Sequence, residues 1–271
     1  MSKSIEEISK EPIAAAIAAS KVIMTIYARD FKKIEKEDGS PLTAADLESS
    51  KIIRKHLKKT NIPITGEEVL KKPYSERKKW FQSWCIDPLD GTKEFIKKNG
   101  EFVINIALIE NQKSIFGLIA SPVKEEIIIG GPSFGAYLFK YTDAFDTNKW
   151  SKLPELKELN KPIRLISSRS HYSGDILSLV EFIEEKYGKV TSKQMGSALK
   201  FFDLVKGSSD IYPRFAPTME WDIAAGQAIY EAVGGEVLQR GNGFPLIYNK
   251  ENLKNPYFVA SKKIIPINLS N

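Results

Sequence analysis

A run of short apolar segments in the middle of the chain limits the folds open to it more than any other feature. Between residues 80 and 139, such segments are separated by Asn, Gly or Pro pairs: WFQSWCIDPL, EFVINIALIEN, KSIFGLIASPV, EEIIIGGP and GAYLFK. Segments of this kind are typical of β-strands, and short connections join neighbouring strands in opposite directions. The sequence therefore predicts a mostly antiparallel sheet.

Two amphipathic helices are predicted before this sheet. The first begins with Ser4 and Glu7 at capping-box spacing and repeats apolar residues at helical intervals as far as Tyr27. The second begins after Thr43, which we expect to be its N-cap, and ends before the segment 61–63, Asn-Ile-Pro.

After a polar connection at residues 141–160, predicted strands and helices alternate to the end of the chain. In order they are IRLISS, GDILSLVEFIEEKYG, KVTSKQ, SALKFFDLVKG, SDIYP and WDIAAGQAIYEAVGG, followed by strands near Val237 and Phe258. Alternation of this kind favours an α/β layer. A length of 271 residues accommodates two subdomains, and we predict an N-terminal α+β unit at 1–145 and a C-terminal α/β unit at 146–271.

The overall charge favours anionic ligands but falls short of a nucleic-acid-binding surface. The net charge is +6, with 27% charged and 42% hydrophobic residues, which is typical of a folded, soluble protein. The densest basic run, Lys71–Lys79, is interpreted as an exposed loop, with a patch for polyanions or membranes as the alternative.

The chain lacks the patterns that would place it in or beyond a membrane. A single cysteine, Cys85, excludes an intrachain disulfide and is compatible with a reducing compartment. No secretory signal is evident, and the most apolar early segment, residues 12–28, is interrupted by Lys21 and is short for a membrane span. We therefore expect a cytoplasmic protein without an integral membrane segment.

The stretch WCIDPLDGTKEF places two carboxylates, Asp87 and Asp90, at the predicted end of an apolar strand. Pro88 is expected to stop the strand, and Gly91 and Thr92 to open a short helix whose N–H groups could receive a phosphate oxygen. Carboxylates beside such a turn indicate Mg²⁺ together with phosphate. The same residues are also ordinary turn formers, so this segment alone leaves both interpretations open.

Other acidic residues stand at element ends elsewhere in the chain. Glu67 and Glu68 follow an apolar run, Asp46 lies early in the second helix, and Asp222 begins an Ala-rich helix. Each has an ordinary explanation when taken alone: exposure to solvent for the glutamates, compensation of the helix dipole for Asp46, and capping for Asp222.

Together these segments resemble the inositol monophosphatase superfamily of metal-dependent, lithium-sensitive phosphatases. Its motifs Gly/Ser-Glu-Glu, Asp-Pro-[Ile/Leu]-Asp-Gly-Thr and Trp-Asp-x-Ala-Ala-Gly are matched by residues 66–68, 87–92 and 221–226. The resemblance implies an α+β / α/β fold, a layered α-β-α-β-α sandwich with an N-terminal mostly antiparallel sheet and a C-terminal mixed α/β layer. It also implies Mg²⁺ as cofactor, with two ions or three.

The resemblance extends over nearly the whole chain to one branch, the CysQ-type 3'(2'),5'-bisphosphate nucleotidases. The similar stretches include SPLTAADLESS, DPLDGTKEFIKKNGEFVINIALIE, ISSRSH, GSALKFFDLVKGSSDIYPRFAPTMEWDIAAG and GFPLIYN. Lys93–Phe95 and Tyr212–Phe215 distinguish this branch from inositol phosphatases. Met219 and Glu220 depart from it, since a smaller or neutral residue is frequent there.

The resemblance also assigns roles to the acidic residues. It implies one Mg²⁺ held by Glu67, Asp87 and the Leu89 carbonyl, and a second held by Asp87, Asp90 and Asp222. Asp46 would pair with Thr92 to orient the attacking water, with a third, weaker ion beside them. The implied catalytic residues are Asp46, Glu67 and Thr92. The N-terminal unit would then carry most ligands, and the C-terminal unit would complete the metal site and the nucleotide pocket.

The implied reaction is hydrolysis of adenosine 3',5'-bisphosphate (PAP) to AMP and phosphate, with the sulfated nucleotide PAPS as a further substrate, in sulfur metabolism. Lys200 and Arg214 would hold the 5'-phosphate, with residues 168–171 bordering the nucleotide and Gly196 at its rim. The predicted substrate contacts are Glu67, Leu89, Asp90, Gly91, Thr92, Ser170, His171, Ser197, Lys200, Arg214 and Asp222.

Two alternatives remain at this stage. The first is an inositol monophosphatase or another sugar-phosphate phosphatase, because the metal motif is shared. The second is a nucleotide- or polyanion-binding protein that has lost catalysis. For the nucleotidase, we expect a small-molecule nucleotide bisphosphate as partner and no nucleic acid. We also expect a monomer or homodimer, and loose contact with the cytoplasmic face of a membrane is compatible with its basic charge.

Overall fold

A computed structural model gives the fold and describes residues 4–36, 39, 41–169 and 174–263. Its α-helices are α1 Ile5–Tyr27, α2 Ala44–Leu57, α3 Tyr74–Arg77, α4 Thr92–Ile96, α5 Gly174–Tyr187, α6 Leu199–Val205 and α7 Glu220–Glu231. Its strands are β1 Lys33–Glu35, β2 Pro41–Thr43, β3 Ile64–Gly66, β4 Gln82–Asp90, β5 Val103–Glu110, β6 Lys113–Ser121, β7 Glu126–Gly131, β8 Gly135–Lys140, β9 Ser151–Lys152, β10 Ile163–Ser167, β11 Val190–Gln194, β12 Ile211–Arg214, β13 Gly235–Gln239 and β14 Phe258–Lys262.

The first large sheet has seven strands in the order β3-β4-β5-β6-β7-β8-β9. Only β3 and β4 run parallel, and the other neighbours are antiparallel, which confirms the predicted mostly antiparallel sheet. Its last strand, β9, lies beyond residue 145. The division of the chain at that residue stays a prediction.

The two faces of this sheet pack against different helices because side chains alternate along each strand. In β5, Ile104 and Ile106 join the apolar cluster formed with α1 and α2. Val103 and Ala107 join the opposite cluster, which includes α6 and α7. The predicted start of α1 is also present, since the Ser4 hydroxyl accepts from Glu7 N and the Glu7 carboxylate accepts from Ser4 N.

The second large sheet has five strands in the order β11-β10-β12-β14-β13 and mixes parallel with antiparallel pairs. One face packs on α6 and α7 through Tyr212 and Phe258, and the other packs on α5 through Ile183 and Ile211. The layers therefore follow the order α-β-α-β-α, as predicted. No helix within the described ranges combines the length and apolar composition needed to cross a membrane.

The basic run Lys71–Lys79 differs in part from the predicted exposed loop. Four of its residues form α3, and Arg77 at the end of that helix is only 3% exposed. A buried guanidinium requires hydrogen-bond acceptors. Lys72 supplies one acceptor for Arg77, and a segment more than 170 residues away supplies the other three, which no local pattern indicates.

Candidate active site

A bulge in β4 brings Asp87 and Asp90 to the same face of the first sheet. Pro88 does not stop the strand, contrary to the prediction: β4 continues to Asp90, and the register with β5 shifts between the two aspartates. Residues three apart on a regular strand would point to opposite faces, but Asp87 pairs with Asn105 and Asp90 with Val103, two positions on one face of β5. The extra residue aligns the carboxylates.

The turn after Asp90 places Thr92 beside Asp46. Gly91 has φ +97°, and a Cβ there would lie 2.8 Å from the Glu101 carbonyl oxygen, so this turn requires glycine. The Thr92 hydroxyl donates to Asp46 Oδ1 at 2.8 Å and lies 3.2 Å from the Leu89 oxygen. The structure therefore brings together the two residues expected to orient a water molecule.

Asp46 itself is held by the start of α2. The Thr43 backbone N–H and hydroxyl both donate to Asp46 Oδ2, at 2.7 and 2.6 Å. Burial raises the pKa of Asp46, although the hydrogen bonds from Thr43 and Thr92 oppose that rise. Asp46 therefore acts both as part of a capping box and as a partner of Thr92.

Glu67 reaches the site because it directly follows β3, which pairs in parallel with β4 as far as Gly66 and Ile86. A Cβ added at Gly66 would overlap the Ile86 carbonyl oxygen, and Glu67 N donates to that same oxygen at 3.1 Å. Lys36 donates to Glu67 Oε1 at 2.9 Å and to Glu68 Oε1 at 2.5 Å. Although burial favours the neutral amine, these hydrogen bonds raise the pKa of Lys36.

Asp222 enters the site from the opposite layer, at the start of α7. Its Oδ2 accepts a hydrogen bond of 2.9 Å from Met219 N, so the capping role considered for this residue is present. Burial and the charge of Asp90 raise the pKa of Asp222 to about 8.

Burial and mutual repulsion act on the other acidic groups as well. Both causes raise the pKa of Asp87 well above its ordinary value, with Glu67, Asp90 and Asp222 as the repelling charges. Burial raises the pKa of Asp90 to about 6, a smaller change because Lys200 and hydrogen bonds to its carboxylate oppose it. When all of its carboxylates are ionised, the cluster therefore carries more negative charge than the neighbouring cations compensate.

The acidic residues line one cavity of about 190 Å³, which includes Glu67, Asp87, Leu89, Asp90 and Asp222. As the side chains stand, no three His, Cys, Asp or Glu groups among the described residues are arranged to hold one ion. Each carboxylate instead accepts from a donor of the protein: Lys36 for Glu67, Leu89 N for Asp87, Ala198 N for Asp90 and Met219 N for Asp222.

The oxygen atoms that line this cavity nevertheless fit Mg²⁺. They are carboxylate and carbonyl oxygens, the ligand type that this hard cation prefers, and they carry an excess of negative charge that a cation would relieve. Asn105 lies beside them with a buried Oδ1 that has no hydrogen-bond partner among the described residues.

A second cavity, of about 270 Å³, adjoins the acidic one. The two share Asp90, Gly91, Lys93, Glu94 and Asp222. The remaining lining comes mainly from the C-terminal half of the chain: Ser168, Arg169, Met195, Gly196, Ser197, Ala198, Lys200, Phe201, Tyr212, Arg214, Thr218 and Ile223. The combined space therefore has an acidic end and a basic end.

Lys200 lies at the base of the second cavity. It is 4% exposed, donates to the Ser197 and Met195 carbonyl oxygens at 2.6 and 3.2 Å, and lies 5.1 Å from the centre of the Tyr212 ring. Burial lowers the pKa of Lys200 to about 8, although the charge of Asp90 opposes the shift. An anionic ligand would compensate this buried ammonium group.

Arg214 forms another part of the basic wall. Its guanidinium donates to the Ser168 hydroxyl at 2.5 Å and to the Pro217 carbonyl oxygen at 3.1 Å. The Nε atom is buried and has no partner among the described residues. Of the other predicted nucleotide contacts, Ser170 and His171 lie outside the described residues.

Sequence reasoning missed several residues of the site. Glu101 pairs with Arg169 and also accepts from Gly196 N at 2.7 Å, so it joins two segments of the second cavity. Lys36 pairs with the Glu67–Glu68 pair. No motif marks Lys36 or Glu101, and only the tertiary contacts bring them to the site.

Comparisons with known proteins identify relatives over most of the chain. The Inositol monophosphatase family matches residues 4–265. A 3'(2'),5'-bisphosphate nucleotidase CysQ from Shigella flexneri is 35% identical over 254 residues, 90% of this chain and 95% of that protein. The crystal structure of CysQ from Bacteroides thetaiotaomicron, a bacterial member of the inositol monophosphatase family, is 38% identical, with a TM-score of 0.84 and coverage of 96% and 98%. The suhB protein from Bartonella henselae shares the fold at 20% identity, with a TM-score of 0.75 and coverage of 97% of each chain.

Proposed function

The chain belongs to the inositol monophosphatase family, and on that premise we propose that it is a Mg²⁺-dependent phosphatase that hydrolyses adenosine 3',5'-bisphosphate to AMP and phosphate. PAPS, which shares the 3'-phosphate, is proposed as a second substrate in the same branch of sulfur metabolism. The similarity to nucleotidases named CysQ over most of the chain supports this choice.

The observation that carries the proposal is the adjoining of an acidic and a basic cavity. A substrate with two phosphate groups needs a metal-binding end for the phosphate that is cleaved and a cationic end for the phosphate that is retained. The acidic cavity offers Asp87, Asp90 and Asp222, and the basic cavity offers Lys200 and Arg214. An inositol monophosphate would leave this basic end without a partner.

We propose that the acidic residues hold two Mg²⁺ ions, Glu67, Asp87 and the Leu89 carbonyl one, and Asp87, Asp90 and Asp222 the other, with a third, weaker ion near Asp46. When bound, Mg²⁺ neutralises phosphate charge and activates water for in-line attack. Lys36 and the ion would share the Glu67 carboxylate, because the ammonium group contacts Oε1 and a carboxylate has two acceptor oxygens.

The chain's own residues position the reacting groups. Because the Thr92 hydroxyl donates its hydrogen to Asp46, its oxygen keeps lone pairs that can accept a hydrogen from the attacking water. Gly91 and Thr92 at the start of α4 offer backbone N–H groups to the transferred phosphate. Positioning and charge stabilisation of this kind suit phosphoryl transfer, which needs little covalent participation from the protein.

In the basic cavity, Lys200 and Arg214 would bind the 5'-phosphate, which is the phosphate that is not cleaved. A phosphate in the basic cavity would pair with the ammonium group of Lys200 and raise its pKa from about 8. Arg214 has a buried Nε that is free to donate, and its guanidinium is oriented by Ser168. Ser197 and Gly196 supply the rim, and we include Ser170 and His171 as nucleotide contacts.

We place this activity in the cytoplasm and propose a monomer or homodimer. The one cysteine, Cys85, is buried and unpaired, which suits a reducing compartment. Any membrane contact would be peripheral and electrostatic, through the lysine-rich surface, and would weaken with salt.

The test is phosphate release by the purified protein with Mg²⁺ from adenosine 3',5'-bisphosphate, PAPS, adenosine 3'-monophosphate, inositol 1-phosphate and sugar phosphates. We expect the bisphosphate nucleotides to have the highest kcat/KM. Faster release from inositol 1-phosphate would contradict the proposal, and no Mg²⁺-dependent release from any substrate would favour a binding protein.

Lys200→Met sharpens the same experiment. We expect it to lower kcat/KM for adenosine 3',5'-bisphosphate by about 10-fold or more and to leave adenosine 3'-monophosphate unaffected, because only the former has a 5'-phosphate. Lys193→Met is the matched control, since Lys193 forms an exposed ion pair with Asp203 outside the cavity lining. Equal losses on the two nucleotides would remove Lys200 from the 5'-phosphate site.

A further inference from the structure

We propose that a buried network of Arg77, Asn249 and Glu220 is a positioning device that holds the segment carrying Glu67 against the helix carrying Asp222. The inference rests on the proposed function, because it concerns two ligands of the proposed metal site. The residues that line the acidic or the basic cavity, among those described, do not include any of the three, so they act through other residues.

Glu220 forms the α7 end of the network. It is the first residue of α7, two positions before Asp222, and only 1% of its surface is exposed. Its carboxylate accepts from Asn249 N at 2.6 Å, from Lys250 N at 3.0 Å and from Lys250 Nζ at 2.6 Å. The charged residue that departs from the branch pattern therefore faces a structural segment and not the substrate cavities.

The segment that Glu220 holds, residues 249–255, encloses the start of α7, and we call it the clasp. Glu220 N donates to the Leu253 carbonyl oxygen at 2.9 Å. Asn255 also binds the segment before α7. Its backbone N–H donates to the Thr218 carbonyl oxygen at 2.8 Å, and its Nδ2 donates to the Met219 carbonyl oxygen at 2.7 Å. The clasp therefore sets the position of the turn from which Asp222 projects.

Arg77 joins the clasp to the other side of the site. Its guanidinium donates to Asn249 Oδ1 at 2.9 Å, to the Lys250 oxygen at 3.0 Å and to the Glu251 oxygen at 3.2 Å. Asn249 Nδ2 donates back to the Arg77 carbonyl oxygen at 2.8 Å. Both side chains are buried, and Asn249 has φ +56°, a conformation that Asn tolerates better than most residues.

The segment between Glu67 and Arg77 is also fastened internally. Arg77 Nε donates to the Lys72 oxygen at 3.0 Å, and Lys71 Nζ donates to the Glu67 oxygen at 2.5 Å. Lys71 also lies 4.9 Å from the centre of the Trp221 ring, the residue before Asp222. The contacts thus run from the Glu67 segment through Arg77 and the clasp to α7. The contact between Lys71 and Trp221 joins the same segment to α7 directly.

The consequence is that the spacing of two metal ligands depends on residues that touch neither metal nor substrate. Glu67 follows a three-residue edge strand, β3, and Asp222 belongs to a different layer, so the sheet alone does not set their separation. Hydrogen bonds between buried, fully paired charged groups are costly to break, and such groups have few alternative geometries. Loosening the network should weaken Mg²⁺ binding before it affects nucleotide binding.

The experiment compares Arg77→Lys and Glu220→Gln with the wild type. Lys keeps the charge but not the fork that reaches three acceptors, and Gln keeps the shape but not the charge. Glu76→Gln is the matched control, because Glu76 is next to Arg77 in α3 and forms an exposed ion pair with Lys72. Mg²⁺ affinity is measured by calorimetry, and backbone hydrogen exchange is followed over residues 67–76.

We expect both variants to bind Mg²⁺ about 10-fold more weakly than wild type and to exchange faster at residues 67–76, while KM for the nucleotide at saturating Mg²⁺ is unchanged. The double variant should lose less than the product of the single losses, since the two residues belong to one network. Glu76→Gln should behave as wild type.

Unchanged Mg²⁺ affinity and unchanged exchange in Glu220→Gln would overturn the inference, even if Arg77→Lys proved too unstable to study. Equal loss of Mg²⁺ affinity in Glu76→Gln would also overturn it, because the effect would then not be specific to the network. The proposed function fails separately, through absence of phosphate release by wild type, whereas calorimetry and exchange test the network without turnover.

Discussion

The acidic side chains of the site are arranged at a cost to the protein's own stability. Asp87, Asp90 and Asp222 are buried, and burial together with repulsion raises their pKa values above the ordinary range. Lys200 beside Asp90 and Arg214 beside Asp222 offset only part of this charge. Each carboxylate is therefore better explained by the cation that we propose it binds than by a contribution to folding.

Asp90→Asn is expected to separate folding from chemistry. Asn keeps an oxygen for the hydrogen bond from Ala198 N, which measures 2.5 Å, but it removes a charge that a metal would need. We expect turnover to fall by about 100-fold or more and the melting temperature in EDTA to stay equal or rise. Phosphate release and thermal unfolding measure the two effects.

Glu48→Gln is the control for that variant, because Glu48 is an exposed carboxylate whose ion pair with Lys51 is 3.8 Å long. It should match wild type in both assays. Full activity of Asp90→Asn would remove this carboxylate from the metal site.

Two local features of the first sheet decide where the carboxylates proposed to bind metal lie. The bulge in β4 turns Asp87 and Asp90 to one face, and the close approach of β3 to β4 at Gly66 brings the following Glu67 to the same place. Helix α7 contributes from the other side through Asp222. Strand β4 thus places two of the acidic side chains, and β3 and α7 place one each.

Gly66→Ala should show how strictly the β3–β4 approach is required. The added Cβ would overlap the Ile86 carbonyl oxygen, and the strands can relieve this only by separating. We expect a loss of about 1–3 kcal/mol in the free energy of unfolding, measured by denaturant titration, together with weaker Mg²⁺ activation.

Gly174→Ala is the control, since a Cβ at Gly174 would have no atom of the described residues within 4 Å. It should leave stability and Mg²⁺ activation near the wild-type values. If Gly66→Ala behaved in the same way, the strand spacing would not be a determinant of the Glu67 position.

The complete site exists only when both halves of the chain are folded together. Asp87 and Asp90 come from the first sheet, Asp222 from the central helix layer, and Arg214 from the second sheet. The apolar cluster between the two large sheets includes residues of β5, α7 and β14. The same contacts that bury this core therefore also assemble the site.

Stability of the whole protein should accordingly depend on pH and on Mg²⁺ in a linked way. Asp222 has a folded pKa of about 8 against an ordinary value of 3.8, so the folded state holds this proton more tightly and stability without metal falls as pH rises through that range. We expect a lower melting temperature in EDTA at pH 8 than at pH 6.

Mg²⁺ should reverse this loss, because it binds the ionised carboxylates of the folded state. At 100 times its Kd it should add about 2.7 kcal/mol, and the melting temperature should rise by about 2–4 °C for each kcal/mol. Thermal unfolding at pH 6 and 8, with EDTA and with Mg²⁺, measures both effects, and Asp222→Asn should reduce the pH dependence. A melting temperature that rises with pH in EDTA would contradict the carboxylate cluster.

The sequence predicted most of the elements because their signals are local. The capping box of α1, the alternating segments β4 to β8 and the helix–strand alternation after residue 160 all occur in the structure. Local reasoning was wrong where a side chain or a bulge depends on distant partners. Pro88 was expected to end β4, and Arg77 was expected on an exposed loop, but both lie in well-paired structure.

From the sequence alone came the family resemblance, the layered fold and the acidic residues proposed to bind metal, because motifs and periodicity are encoded by neighbouring residues. Only the tertiary structure decided that Lys36 pairs with Glu67, that Glu101 ties Arg169 to Gly196, and that the clasp joins Arg77 to Glu220. These contacts join residues that are 29 or more positions apart along the chain. Their geometry follows from how the layers pack, which no short segment of sequence specifies.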